Sequence, residues 1–156
     1  LVTGVQTCAL PIYNNGNGSV FFDAEELEVH AIAVAPGGGL YGEMRRVFVD
    51  DAWRAFVYVT ASIEGQGPVM AELAMDDPLV RETIVYLTCV HELGHAIGLP
   101  HTDDFDDIMY SFGFGGDIIE YFMRYRRLLD VPGDIADHSG LSPNDRATLG
   151  GLYPAP

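Results

Sequence analysis

Three histidines and a glutamate lie close together in the stretch HELGHAIGLPH, which begins at His91. Four helical residues subtend about 400°, so His91 and His95 project from one face, one turn apart. Two imidazoles in that arrangement can occupy two corners of a tetrahedral zinc site. Gly98 can end the helix, and the chain can then turn back so that His101 reaches the same ion. Three neutral nitrogens leave one position for water, as expected of a catalytic zinc site.

Glu92 directly follows the first of these histidines and lies about 100° around the helix from it. From there its carboxylate can reach a zinc-bound water without binding the metal. Zinc lowers the pKa of that water toward neutrality, and Glu92 can take its proton as the water attacks a carbonyl. We therefore predict one zinc ion held by His91, His95 and His101, with Glu92 as the catalytic residue.

Chance is a weak alternative explanation for this pattern. The motif fixes five positions, His91, Glu92, His95, Gly98 and His101, and at average residue usage a chance match arises on the order of once in 10⁷ start sites. The alternative is two surface histidines and an unrelated third on an ordinary capped helix.

The helix that carries the motif is predicted over 78–97. Asp77 can cap it, and Pro78 suits its first turn. Apolar residues recur with a period near 3.6 from Val80 to Ile97. Pro100 prevents the helix from resuming after Gly98.

Strands are predicted before this helix and further helices after it. Segments 28–35, 45–50 and 54–63 are rich in β-forming residues. Helices are predicted over 118–130, where Asp117 and Glu120 can form a capping box, and over 142–152. This order, in one small domain, predicts an α+β fold.

The composition restricts the possible partners. The formal charge is −15, and every basic residue is an arginine. An acidic surface argues against nucleic acid or anionic membrane as partner. It favours cationic peptides or bound calcium, with a merely soluble surface as the alternative. Calcium has no further support, because the four aspartates at 103, 104, 106 and 107 lack EF-hand spacing and are interpreted as a solvated loop. The arginines at 124, 126 and 127 are interpreted as the solvated face of their helix.

The first twelve residues are predicted not to belong to the protein. Residues 2–12 match, residue for residue, the translation of a common sequencing-library adapter, so 1–12 are excluded from the fold and 13–156 are treated as one domain with a truncated N-terminus. Cys8 is then foreign, which leaves Cys89 as the native cysteine and rules out an intrachain disulfide. Cys89 is interpreted as a small buried thiol. The alternative is a native N-terminal arm.

Two further segments support a family resemblance. The extended histidine motif resembles the metzincin signature, whose second mark is a methionine turn beneath the metal. Met109, in the segment IMY at 108–110, fits that turn. The tyrosine after the methionine and the closing segment LSPND at 141–145 are similar to the matrixins, the matrix metalloproteinase-like group. The resemblance is specific over 84–111 and 141–153.

This resemblance implies a zinc endopeptidase that hydrolyses internal peptide bonds of peptides or proteins. It implies a metzincin-like catalytic domain, in which a twisted mixed sheet packs on the active-site helix and a small helical subdomain follows. Met109 would form the floor under the histidines, and an extended substrate would pair with an edge strand. Secretion is expected from the family alone. The alternatives are a zinc-binding module of the same fold without protease activity and a zinc amidohydrolase acting on a non-protein substrate.

The sequence also departs from the matrixin pattern. Thr102 stands where matrixins usually have serine. Residues 112–140 are longer than the usual loop and lie where the family builds the S1′ wall, so substrate preference is not carried over. Phe112 and Phe114 either line that pocket or pack in the ordinary way. No histidine-rich loop for a second zinc is visible, because His30 stands alone.

Overall fold

The computed structural model describes residues 27–32, 41–49, 51–60, 63 and 66–154. The predicted adapter segment 1–12, with Cys8, lies outside the described residues. The division of the chain at residue 12 therefore stays a prediction.

A small mixed sheet precedes the helices. Its strands are β1 (Leu27–Ile32), β2 (Gly42–Val49) and β3 (Ala52–Thr60), in the order β1-β3-β2. The central strand β3 runs parallel to β1 and antiparallel to β2, so that Val57 pairs with Val29 on one side and Met44 on the other. Among the described strands, β2 therefore lies at an edge. The mixed sheet and the strands-then-helices order confirm the predicted α+β fold.

The long helix forms where the sequence predicts it. Helix α2 spans Pro78–Ala96, and the side chain of Asp77 accepts a hydrogen bond from the backbone N–H of Leu79 at 3.0 Å. The chain leaves the helix through Gly98 at φ 103, where a left-handed conformation suits glycine. The backbone N–H of Leu99 then bonds back to the carbonyl of Gly94 at 2.9 Å. These contacts give the helix a defined end just before His101.

Helix α1 (Pro68–Asp76) was not predicted. Its N-cap is Gly67, which offers no side-chain hydrogen bond, so the usual polar start signal is missing. Asp77 alone separates α1 from α2, acting as C-cap of the first and N-cap of the second.

Helix α2 is buried on two sides. One side packs Cys89 and Leu93 against the sheet residues Ala55 and Val57, and Cys89 is half-buried there. The other side contributes Ile84, Leu87 and their neighbours to a larger core that contains the aromatic residues of the next helix. Burial of each such apolar side chain contributes roughly 1.5–3 kcal/mol. The helix is therefore held rigidly where the histidines project.

The C-terminal half contains helices α3 (Ile118–Arg126) and α4 (Pro143–Leu152), with short 3-10 turns at Phe112–Phe114 and Pro132–Asp137. Asp117 caps α3 through the N–H groups of Ile119 and Glu120. The predicted capping box at α3 is wrong, because the carboxylate of Glu120 pairs with Arg127 instead. A complete capping box does form at α4, between Ser142 and Asp145.

Of the three arginines at the C-terminal end of α3, two are not solvated as predicted. The guanidinium of Arg124 lies 4.4 Å from the ring centre of Tyr121 and donates to Asp106 at 2.8 Å. Arg126 pairs with Asp77 at 2.7 Å, which links the end of α3 to the start of α2. The interpretation holds for the third, at position 127, which is exposed. The carboxylate partners of these two arginines come from distant segments of the chain, which helical periodicity does not reveal.

Candidate metal centre

The three predicted ligands converge on one point. His91 and His95 lie in the last turns of α2 and are half-buried, and His101 is exposed in the following loop. The Nε2 atom of His101 lies 3.3 Å from that of His91 and 3.0 Å from that of His95. Zinc–nitrogen bonds of about 2.0–2.1 Å in tetrahedral geometry require nitrogens about 3.3 Å apart. The donor set and its spacing therefore fit zinc.

Backbone carbonyls orient two of the rings. Nδ1 of His91 donates to the carbonyl of Ile108 at 2.6 Å, and Nδ1 of His95 donates to that of Leu99 at 3.0 Å. Because a carbonyl only accepts, the proton lies on Nδ1 and each Nε2 keeps its lone pair for a metal. Burial lowers the pKa of His91 to about 4, although the Ile108 contact opposes this, so the ring is neutral at pH 7.

Met109 lies where a floor for the site is expected. Its side chain is 1% exposed and belongs to the main core, and its sulfur packs directly against Gly94, between the two helical histidines. The loop that carries it closes on itself, because the N–H of Thr102 bonds to the carbonyl of Met109 at 3.0 Å and the N–H of Ser111 bonds to that of Thr102 at 3.1 Å. This closure holds the methionine against the helix.

Helix α4 also restrains the loop that carries Met109, through hydrogen bonds to its backbone. The buried carboxylate of Asp145 accepts the backbone N–H of Ile108 at 2.8 Å and that of Ser142 at 2.8 Å. The backbone N–H of Ile108 is thus hydrogen-bonded to α4, and its carbonyl accepts the hydrogen bond from the ring of His91. The closing segment at 141–145 therefore supports the candidate metal centre, a role that neither its helix prediction nor its family resemblance indicates.

The acidic loop after His101 is only partly solvated. Asp103, Asp104 and Asp106 are exposed, as predicted. The prediction is wrong for Asp107, which is 1% exposed and hydrogen-bonded to α4. Among the described histidines, cysteines and carboxylates, the three histidines lie close enough together to share a metal ion. The loop aspartates do not form such a group.

Glu92 is buried beside the histidines. It is 8% exposed, and burial raises the pKa of its carboxyl to about 7, opposed by a hydrogen bond from the backbone of Met44. A divalent cation at the histidines would favour the charged form. Strand β2 approaches so closely that a β-carbon on Gly42 would lie 2.8 Å from Cγ of Glu92. The carboxylate is therefore confined between helix and edge strand.

A cavity of about 190 Å³ opens beside Glu92 and is mostly apolar. Phe112 lines it, whereas Phe114 is absent from its lining and is 64% exposed. Several aromatic lining residues were not predicted, because they come from segments far apart in sequence. The described lining comprises Tyr41, Gly42, Leu87, Thr88, His91, Glu92, His101, Tyr110, Ser111, Phe112, Tyr121 and Phe122.

Helical periodicity could have indicated two of the unpredicted lining residues. Tyr121 and Phe122 lie on the buried face of α3, together with Tyr125. No sequence signal indicated Tyr41. His138 lies in the loop before α4 and is not part of the histidine group. The side chain of His30 lies outside the described residues.

The family comparison agrees with this geometry. The model of the matrixin peptidase family, Matrixin, matches residues 4–114, which include all three histidines, Glu92 and Met109. No curated protein and no solved structure matches the chain. The matched range also takes in residues 4–12, so their assignment to an adapter stays a prediction.

Matrixins are zinc metalloproteases of metzincin fold, act on peptides or proteins, and are generally secreted or extracellular. In the described part of the chain, no helix is both long and apolar enough to cross a bilayer. With most of its length matched by the family model, this chain belongs to the matrixin family.

Proposed function

We propose that this matrixin is an endopeptidase that hydrolyses internal peptide bonds, with a zinc ion held by His91, His95 and His101 and with Glu92 as general base. The observation that carries the proposal is the convergence of three Nε2 atoms beside a buried carboxylate that lines a cavity. A structural zinc site has no need of that carboxylate or of an open cleft.

Each residue has a distinct task in this proposal. Zinc, when bound, supplies Lewis acidity toward water and the scissile carbonyl. The carbonyls of Ile108 and Leu99 keep two imidazoles in the tautomer that presents Nε2. Glu92 accepts a proton from the attacking water and passes it to the leaving amine. Its confinement against Gly42 limits the positions that the carboxylate can take during this transfer.

The substrate is proposed to lie extended along β2. This strand is at the edge of the described sheet and approaches Glu92 at Gly42, so a peptide pairing with it would pass the histidines. One substrate side chain would then enter the aromatic cavity. We further propose secretion, as is general for the family.

The test compares the chain with Glu92→Gln, which keeps the shape of the side chain but removes its basicity. Zinc content and cleavage of a quenched-fluorescent peptide library are measured side by side. One zinc in both proteins, with cleavage at least about 10²-fold lower in the variant, supports the proposal. Equal cleavage by the two proteins contradicts the role of Glu92.

The same experiment, with a panel of small non-protein amides added to the peptide library, separates the alternatives. One zinc without cleavage in either protein would indicate a zinc-binding module. Turnover of small non-protein amides without proteolysis would indicate an amidohydrolase. Both outcomes contradict the endopeptidase proposal.

A further inference from the structure

Asp107 is a buried acid that the proposed chemistry does not use. Its carboxylate accepts the hydroxyl of Ser142 at 2.5 Å on one oxygen and the amide of Asn144 at 2.6 Å on the other. Ser142 is the N-cap of α4, and Asn144 lies in its first turn. A buried carboxylate is costly unless it is fully hydrogen-bonded, so this residue is committed to holding α4.

The contact between loop and helix is reciprocal. The carboxylate of Asp107, in the loop, accepts a hydrogen bond from Ser142 at the start of α4. The carboxylate of Asp145, in α4, accepts one from the backbone N–H of Ile108, the next residue of the loop. Ser142 joins the two halves, because its hydroxyl donates to Asp107 and accepts the N–H of Asp145 at 3.0 Å. Two carboxylates therefore restrain the backbone at Asp107 and at Ile108.

The carbonyl of Ile108, which belongs to the following Ile108–Met109 peptide, lies at the candidate metal centre. The carbonyl of Ile108 receives the Nδ1 proton of His91 at 2.6 Å. The hydroxyl of Tyr121 shares its one proton between the carbonyls of Asp107 at 3.2 Å and Ile108 at 3.1 Å, which restrains this backbone further. A small rotation of the backbone at Ile108 would move this carbonyl and therefore turn the ring of His91.

We propose that Asp107 is a positioning residue for the metal centre, holding the Ile108 carbonyl where it orients His91. The inference rests on the proposed zinc site, but it concerns residues that neither touch the metal nor react. The carboxylate of Asp107 is stabilised in its charged form by its neighbours. Burial opposes ionisation, but the Ser142 and Asn144 hydrogen bonds and the nearby Arg124 outweigh it, so the pKa of Asp107 lies below its usual value.

The first test is the zinc dissociation constant of Asp107→Asn, measured by competition with a chromophoric chelator. Asparagine has one acceptor oxygen where aspartate has two, so it can keep only one of the hydrogen bonds from Ser142 and Asn144 in the present direction. Loss of an outer contact to a metal ligand typically weakens metal binding about 10–100-fold, and we expect a loss in that range. The matched control is Asp106→Asn, which removes the same charge from the exposed neighbour.

The second test exchanges the partners. In the double variant Asp107→Asn with Asn144→Asp, the amide and the carboxylate change places and the hydrogen bond can re-form. We expect the double variant to bind zinc at least about tenfold more tightly than Asp107→Asn, because the hydrogen bond that supports the ligand is restored. Circular dichroism and thermal unfolding without metal establish that each variant is folded. If Asp107→Asn does not fold, Asn144→Ala replaces it, because that change removes a single contact.

A third readout does not require zinc. In the metal-free protein, the ¹⁵N resonances of the His91 ring report the hydrogen bond at Nδ1, and we expect them to shift in Asp107→Asn and not in Asp106→Asn. Equal zinc affinity and unchanged His91 resonances in Asp107→Asn would overturn the inference, as would equal losses in both single variants. Absence of zinc binding by the unaltered chain would instead contradict the proposed function.

Discussion

The sulfur of Met109 lies directly against the α-carbon of Gly94, leaving no room for a β-carbon between them. Gly94 is on the turn of α2 between His91 and His95, so the methionine supports the helix at the level of these two histidines. Because Met109 is almost fully buried, it cannot move aside without disturbing the core. Glycine is thus required at position 94 by close packing. Its backbone conformation is that of an ordinary helix, which any residue could adopt.

Gly94→Ala should therefore destabilise the protein. Overpacking costs about 1–3 kcal/mol, which exceeds the roughly 1 kcal/mol that alanine contributes to a helix. Urea unfolding of the metal-free chain measures the change, and zinc affinity should fall with it. The matched control is Gly150→Ala in α4, where a β-carbon meets nothing within 4 Å and stability should rise slightly. Equal stabilisation by both changes would contradict the packing argument.

Gly42→Ala should impair catalysis more than metal binding. The new β-carbon would lie 2.8 Å from Cγ of Glu92 and 2.6 Å from Cγ2 of Thr88, so the carboxylate must shift. Misplacing a catalytic group by about 1 Å can cost about 10²-fold in rate, and we expect kcat to fall at least about tenfold. Zinc affinity should stay unchanged. Gly133→Ala, which meets no neighbour, is the control, and a drop in zinc affinity without a drop in kcat would contradict the assignment.

Phe112→Ala should change side-chain preference, and Phe114→Ala should not. Phe112 packs edge-to-face on Tyr110 and Tyr121 and lines the cavity, whereas Phe114 is absent from its lining. Enlarging an apolar pocket should shift kcat/KM toward substrates with larger side chains by about tenfold. Profiling both variants on one peptide library provides the measurement. Identical profiles for the two variants would mean that the cavity does not receive the substrate.

The link between Asp77 and Arg126 should make stability depend on pH. The Arg126 guanidinium, together with the Leu79 N–H, holds the pKa of Asp77 below its usual value despite some desolvation. A carboxyl with a lowered folded-state pKa stabilises the protein above its unfolded pKa of about 3.9 and loses that contribution as pH falls through the folded value.

Asp77→Asn should therefore be less stable than the unaltered chain at pH 6–8, with a difference that disappears at acid pH below about 4. The pair is partly exposed, so the difference should not exceed about 1 kcal/mol. Denaturant unfolding at several pH values measures it, with Asp76→Asn at the end of α1 as control. A difference that grows as the pH falls would have the wrong sign.

The local part of the site could be predicted from sequence, and the tertiary part could not. His91, His95 and the end of α2 follow from helical spacing, the Asp77 cap and Gly98, all within one segment. The turn at Gly98 then limits where His101 can lie. These features depend on neighbours in the chain, so periodicity and capping residues were sufficient to place them.

The misassigned residues depend on distant partners. Asp107 and Asp106 are adjacent and identical in type, yet one is buried by α4, whose contacts lie 35 and 37 residues away, and the other is exposed. Arg126 was placed on a solvated face because its partner, Asp77, lies 49 residues earlier. Tyr41 reaches the cavity from the start of β2 without any sequence signal. Long-range packing decided each of these cases.

The most direct test of the account is a zinc titration of chelator-stripped protein, followed by peptide cleavage at each step. We predict that activity rises linearly and reaches a plateau at one zinc per chain, and that His95→Ala shows no such plateau. Glu92→Gln should bind the same single zinc and remain inactive. Cleavage by the stripped protein, or full activity in either variant, would contradict the claim that three histidines and Glu92 form the catalytic centre.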